Sequence, residues 1–110
     1  MTDDTIKLTT AQAIVGWLSS QFIKIDGKEE RLCGGGFGIF GHGNVTCLGE
    51  ALYNHKEELP LYRGQNEQSM GFAAAGYSKY WLRKRFMFCT ASAGPGTANL
   101  LTAAGLAHTN

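Results

Sequence analysis

Glu67 is the acid best placed in this chain to move a proton. It follows Asn66, a good helix cap, and precedes the apolar stretch Met70-Gly-Phe-Ala-Ala-Ala. An acid in the first turn of a helix ordinarily complements the helix dipole, worth about 0.3–1 kcal/mol. A carboxyl against an apolar wall can instead have its pKa raised and serve in proton transfer. Dipole and desolvation oppose each other here, and desolvation prevails if the site is closed.

Other residues invite a chemical reading. Ser92-Ala-Gly-Pro-Gly96 could turn backbone N–H groups toward an anion or a ring edge, or could be a tight turn. It is no nucleophile elbow, because G-x-S-x-G needs glycine where Thr90 stands. His42, between Gly41 and Gly43, is exposed by its setting and could contact a substrate; His55 and His108 show no metal-ligand spacing to it. Gly36-Phe-Gly-Ile-Phe-Gly41 spells the dinucleotide fingerprint G-x-G-x-x-G, with Glu57 and Glu58 at roughly the distance of a ribose-binding acid. That fingerprint needs its first glycine after a strand, whereas residues 37–40 read as the strand itself. Lys79, Arg83, Lys84 and Arg85, interleaved with Tyr80 and Trp81, suit the end of a helix better than a nucleic-acid stripe, since no second basic patch supports them.

Three strand-loop-helix units must position these residues. Before them, Thr9 or Thr10 can cap a helix whose face is Ile14, Leu18 and Phe22, with Ala11 and Val15 alongside and Gly27 past its end. Residues 26–36, charged and then glycine-rich, read as a loop. Residues 37–40 then form a strand, Gly41-His-Gly-Asn44 a break, and Val45, Leu48, Ala51 and Leu52 a helix face. The pattern recurs with residues 59–62, the break at 63–66, and a helix facing inward through Met70, Ala73, Ala74 and Tyr77. It recurs again with residues 86–91, the glycine turn at 92–96, and an Ala/Leu-rich helix from about Thr97. Such a series predicts an α/β fold with a parallel sheet and right-handed crossovers. All three strand-to-helix loops then leave one sheet edge, where open α/β sheets hold their ligands.

Composition sets further bounds. The 110 residues allow one domain with a modest core. Charged residues are 17% against a usual level of about 25%, and the 15 glycines are near twice the usual ~7%, which suggests glycine-built loops and a surface covered by something else. A net charge of +1 gives no field to steer nucleic acid or an anionic membrane. Cys33, Cys47 and Cys89, odd in number and without C-x-x-C, read as buried free thiols in a reducing compartment. With an acidic start and no apolar run of membrane length, the expected location is cytoplasmic.

The chain resembles the beginning of a thiamin-diphosphate-dependent enzyme of the acetohydroxyacid synthase type. "FGIFGHGN", "NEQSMGFAAAGYSK" and "TASAGPGTANLLTAAGLAHTN" carry the likeness, in order and at suitable intervals. Where the family usually has G-x-P-G this chain has Gly41-His-Gly-Asn44. That departure, with "LTTAQA" and "YRGQNEQ", most resembles the branch that opens the ring of a small cyclic dione in inositol catabolism. The resemblance implies a Rossmann-like, three-layer fold and assigns residues 1–110 to the N-terminal part of the pyrimidine-binding domain, without the central and diphosphate-binding domains. It implies that Glu67 hydrogen-bonds N1′ of the cofactor's aminopyrimidine, and that a protonated Glu67 promotes the imino tautomer whose 4′-nitrogen takes the thiazolium C2 proton. Gly94, Pro95, Gly96 and Asn99 would shape the pyrimidine side; His42 and Asn44 would reach substrate.

The family's diphosphate and Mg²⁺ are held by a G-D-G…N-N motif, and no such motif occurs here. The resemblance therefore implies that the remaining domains and a second subunit of a homo-oligomer complete the site, and that this chain alone neither binds the cofactor nor turns over. Three parallel strands with open edges further predict marginal stability. Two other readings stand beside this one: another thiamin-diphosphate enzyme of acetohydroxyacid synthase type, or a non-catalytic nucleotide- or phosphate-binding α/β module.

Overall fold

The computed structural model describes residues 4–110; the acidic start at residues 1–3 lies outside them. Helix α1, Thr10–Ser19, opens on Thr9 with a reciprocal cap: Gln12 N–H donates to Thr9 Oγ1 (3.1 Å) and Thr9 N–H to Gln12 Oε1 (2.9 Å). It stops earlier than the apolar spacing implies. The Ser19 and Ser20 hydroxyls both donate to the Gly16 carbonyl (2.9 and 2.7 Å), the local competition by which serines weaken a helix. Phe22 therefore falls outside the helix, Ile14 is 49% exposed, and Val15 and Ser19 are the buried residues of the helix.

The predicted loop at 26–36 is instead a hairpin and the start of a strand. β1, Phe22–Ile25, pairs antiparallel with β2, Lys28–Arg31, through Asp26 (φ 53°) and Gly27 (φ 79°). Both turn residues are left-handed, as a two-residue primed turn requires. Next comes β3, Cys33–Gly38, which begins four residues before the expected strand and ends before Ile39. Periodicity could not find a strand written Cys-Gly-Gly-Gly-Phe-Gly, because its side chains come from its neighbours. A Cβ on Gly36 would lie 2.3 Å from the Phe88 ring, so the glycine leaves the room that Phe88 fills. At Gly35, φ is +121° and a Cβ would sit 2.3 Å from the Pro60 carbonyl oxygen, where the pairing register shifts.

Helices α2 (His42–Thr46) and α3 (Leu48–Tyr53) lead to β4, Leu61–Arg63; α4, Glu67–Tyr80, leads to β5, Phe86–Thr90; α5 (Pro95–Asn99) and α6 (Leu101–Thr109) follow. The break at Gly41 is shorter than predicted, since His42 to Asn44 already form the first turn of α2. The last helix starts two residues early, with Pro95 in its first turn, and is interrupted at Leu100. β4 and β5 both run parallel to β3, in the order β4-β3-β5.

That order decides the layers. From β3 the chain steps to one side and from β4 it crosses to the other, so right-handed connections put α3 and α4 on opposite faces. On the α1/α3 face Val15, Cys33, Ala51, Leu52 and Leu59 form a buried cluster backed by Phe40, Leu61, Phe86 and Phe88. On the other face α4 lies against β5 and α6, closely enough that a Cβ on Gly71 would meet Ala103 Cβ at 2.3 Å. Cys33 and Cys89 have thiols pushed up in pKa by burial, but Cys47, at the α2/α3 junction, is exposed, which corrects the expectation of three buried thiols. No helix among the described residues is long and apolar enough to cross a membrane.

Candidate functional site

β3, β4 and β5 all end at one edge, and the three loops leave there. β3 and β5 are neighbours whose following helices go to opposite faces, and between such strands an open α/β sheet forms its ligand crevice. A hollow of about 360 Å³ lies at this point, lined by Gly41, His42, Gly43, Asn44, Ser92 and Ala93. A second, of about 420 Å³, opens beside β4 and is lined by Phe37, Arg63, Gly64, Asn66 and Met70 among others. Two more apolar hollows, between α4 and α6, lie away from this edge.

Glu67 is the first residue of α4. Asn66 caps that helix, its Oδ1 accepting from Ser69 N–H (3.1 Å), so the backbone that carries Glu67 is fixed. Its side chain reaches across to α5, where Asn99 Nδ2 donates to Oε2 (2.9 Å). Gly96 lies beneath the other oxygen: a Cβ there would come within 3.2 Å of Glu67 Oε1 and 2.6 Å of Ser92 Oγ. Ser92 builds this turn. Its Oγ accepts from Gly96 N–H (3.1 Å), and its carbonyl accepts from Thr97 N–H (3.0 Å) and Thr97 Oγ1 (2.6 Å).

The carboxyl pKa is shifted in the direction expected of an open site. Asn99, by donating to the ionised form, holds the Glu67 pKa below the usual carboxylate value; the Glu67 N–H adds to this, and desolvation is the weakest influence. The raised pKa that an apolar wall implied is absent because the site stands open on its outer side.

Several sequence-singled residues meet here. Glu67 and Asn99 are hydrogen-bonded with Gly96 beside the carboxyl, and His42 and Asn44 line the adjoining crevice together with Ser92, which bonds Gly96. Gly94 and Pro95 are exposed and shape the α5 turn without contacting the carboxyl in any described hydrogen bond. The role of Ser92 as the turn's hub was not read from sequence, although a serine four residues before a buried glycine at a helix start is its signal. Gly41, last of the G-x-G-x-x-G letters, does open a helix, yet Gly36 and Gly38 lie inside β3, so the dinucleotide reading fails on its first glycine. Arg85 proves structural: its Nε donates to the Arg31 carbonyl (2.7 Å) and its guanidinium stacks over Trp81 (4.9 Å). Among the described residues no three His, Cys, Asp or Glu side chains converge as a metal site.

A parallel α/β sheet with an acid and an amide facing each other across its ligand edge defines a class. Residues 36–110 match the family described as "Thiamine pyrophosphate enzyme, N-terminal TPP binding domain", and the chain belongs to that family. Among curated proteins it is 51% identical over all 110 residues to a 3D-(3,5/4)-trihydroxycyclohexane-1,2-dione hydrolase of Listeria innocua serovar 6a, of which it covers 17%. It is 50% identical to that of Listeria monocytogenes serotype 4b, again over the whole chain and 17% of the relative, and 48% identical over 106 residues to that of Bacillus thuringiensis, 96% of this chain and 16% of the relative. The chain thus spans about one sixth of the length of these relatives. No solved structure matches it with comparable significance.

The chemistry of this edge is compatible with a flat nitrogen heterocycle such as thiamin diphosphate carries. One carboxyl oxygen of Glu67 is held by Asn99; the other has no side-chain partner among the described residues and borders a glycine whose missing Cβ leaves space beside it.

Proposed function

We propose that this chain contributes the pyrimidine-side half-site of a thiamin-diphosphate-dependent hydrolase that opens 3D-(3,5/4)-trihydroxycyclohexane-1,2-dione to 5-deoxy-glucuronate in inositol catabolism. The observation that carries the reading is the Glu67 carboxyl, presented at the sheet's ligand edge with one oxygen tied and the other without a side-chain partner among the described residues. The substrate assignment draws on the curated relatives, matched at about half identity along the full chain.

Bound there, the cofactor supplies the carbon nucleophile that makes a bond between adjacent carbonyl carbons breakable. This chain's residues hold and orient. Glu67 would hold and move a proton at its free oxygen, the kind of role that contributes ~10²–10⁴ in rate. Gly94, Pro95 and Gly96 leave the ring room to approach, Asn99 fixes the carboxyl, and His42 and Asn44 reach the hydroxylated substrate from the crevice. In the net reaction one ring carbon–carbon bond breaks and one water is added, giving a carboxylate at one carbon and hydrogen at the other. Mg²⁺ and the diphosphate are held by residues outside this chain, and a second subunit of a cytoplasmic homo-oligomer covers the open side.

In the intact enzyme, Glu67→Gln should slow C2-proton exchange of bound cofactor by orders of magnitude, measured by deuterium exchange and NMR. Unchanged exchange removes Glu67 from this role. Calorimetry of the isolated chain should show no tight uptake of Mg²⁺ and thiamin diphosphate; tight binding contradicts the division of the site.

A further inference from the structure

Asn99 does more than border the ring. Among the described residues it is the one side-chain hydrogen-bond partner of the Glu67 carboxyl, and it arrives from 32 residues further along the chain. Its placement is fixed from below, because the three hydrogen bonds to Ser92 lock the turn that starts α5, and Asn99 closes that helix. Asn66 fixes the carboxyl's own backbone from the other side. Neither end of the Glu67–Asn99 link is therefore free to drift.

An amide carries a donor and an acceptor at the same distance from its last rotatable bond. As it stands, Nδ2 donates to ionised Glu67. Turned by half a revolution about χ2, Oδ1 accepts from Glu67 when the acid carries its proton. We infer that Asn99 is a positioning residue that grips Oε2 of Glu67 in both charge states, reversing its amide as the acid takes up a proton, and so leaves Oε1 alone to meet the ligand.

The surroundings leave this exchange to Asn99. α5 has no titratable side chain. The titratable groups on the other elements packed against α4 are Cys33 of β3, Cys89 of β5 and His108 of α6, with Tyr77, Lys79 and Tyr80 on α4 itself. None is among the causes that shift Glu67, which are Asn99, its own N–H and a small desolvation. The donated hydrogen bond favours the ionised acid in the empty site, while the proposed chemistry uses the protonated one. Ligand entry must then be coupled to proton uptake.

The inference rests on the functional reading above, and the test separates the two. The affinity of the intact protein for thiamin diphosphate with Mg²⁺ is measured by equilibrium dialysis across pH. If binding selects protonated Glu67, affinity is full below the acid's free-state pKa and falls about tenfold per pH unit above it. Asn99→Ala and Asn99→Asp remove the donor to the ionised form, and Asp adds a like charge, so the break should move to higher pH, further for Asp. An amide that served only to stabilise the turn would, when removed, weaken binding equally at all pH and leave the break in place, which overturns the inference. Glu67→Gln is the control for groups on the cofactor itself. A break that survives it refutes the functional reading and the inference together. A break that it abolishes, but that neither Asn99 variant moves, refutes the inference alone.

Discussion

The two faces of the sheet are built by different means. Toward α1 and α3, large side chains interlock: Val15, Leu52 and Leu59 are almost wholly buried and a shell of aromatic and aliphatic residues surrounds them. Toward α4 and α6, small residues let backbones approach, as Gly71 does on Ala103, and a hollow of about 370 Å³ remains between α4, α6 and β5. Outside these faces Trp17 (62%), Leu82 (74%) and Leu101 (73%) stand exposed. The first face stabilises by excluding water, and the second keeps a polar pair at its end within reach of a ligand. Core packing and the proposed site are thereby placed on separate residues, and substitutions on the two faces should have separable effects.

Glu67→Gln should give the largest and most selective effect: ~10²–10⁴ off the rate of proton exchange, with the thermal midpoint unchanged. Leu59→Ala should do the reverse, costing about 2–5 kcal/mol in chemical denaturation while the proton exchange of the folded fraction stays normal. Equal losses of stability and chemistry from either variant would erase the distinction between the faces. Gly96→Ala falls between them, because its Cβ would press on Ser92 Oγ and Glu67 Oε1; about 1–3 kcal/mol of overpacking and weaker cofactor retention by dialysis are expected. Thr9→Ala, which removes a cap on the packed side, should cost about 1 kcal/mol and leave ligand affinity alone.

The smallest effect is one of pH. Burial raises the Cys33 thiol pKa, so the neutral thiol is the form that the fold favours. Its contribution is whole below the ordinary thiol pKa and is lost as pH rises from there through the raised folded value. Cys33→Ala should therefore lessen the decline of the melting temperature on the alkaline side; an unaltered alkaline slope would mean that other groups govern it.

Parts of this arrangement were legible without coordinates. Strong local signals, such as the Thr9 cap, the Asn66 cap ahead of Glu67, and the strand-turn-helix sequence at 86–99, all appear in the structure, and the parallel sheet followed from their repetition. The hairpin at 22–31 was missed although Asp26-Gly27 between two short strands signals it, because the charges of Lys28 to Arg31 read as solvated loop. β3 was misplaced for a different reason: three consecutive glycines carry no pattern, and their strand conformation depends on pairing with β4 and β5.

Local chemistry, written in single residues and their near neighbours, determined that this chain makes helices capped where they are, alternates them with short apolar strands, and gathers its glycine turns at one sheet edge. Only the tertiary structure decided that Asn99 meets Glu67, that Gly96 leaves space beneath it, and that the hydrogen bond from Asn99 holds the carboxyl pKa below its usual value. Those facts depend on contacts between residues about thirty positions apart. A helical turn or a cap is decided within a few residues, whereas the environment of a carboxyl is the sum of everything that folding brings beside it.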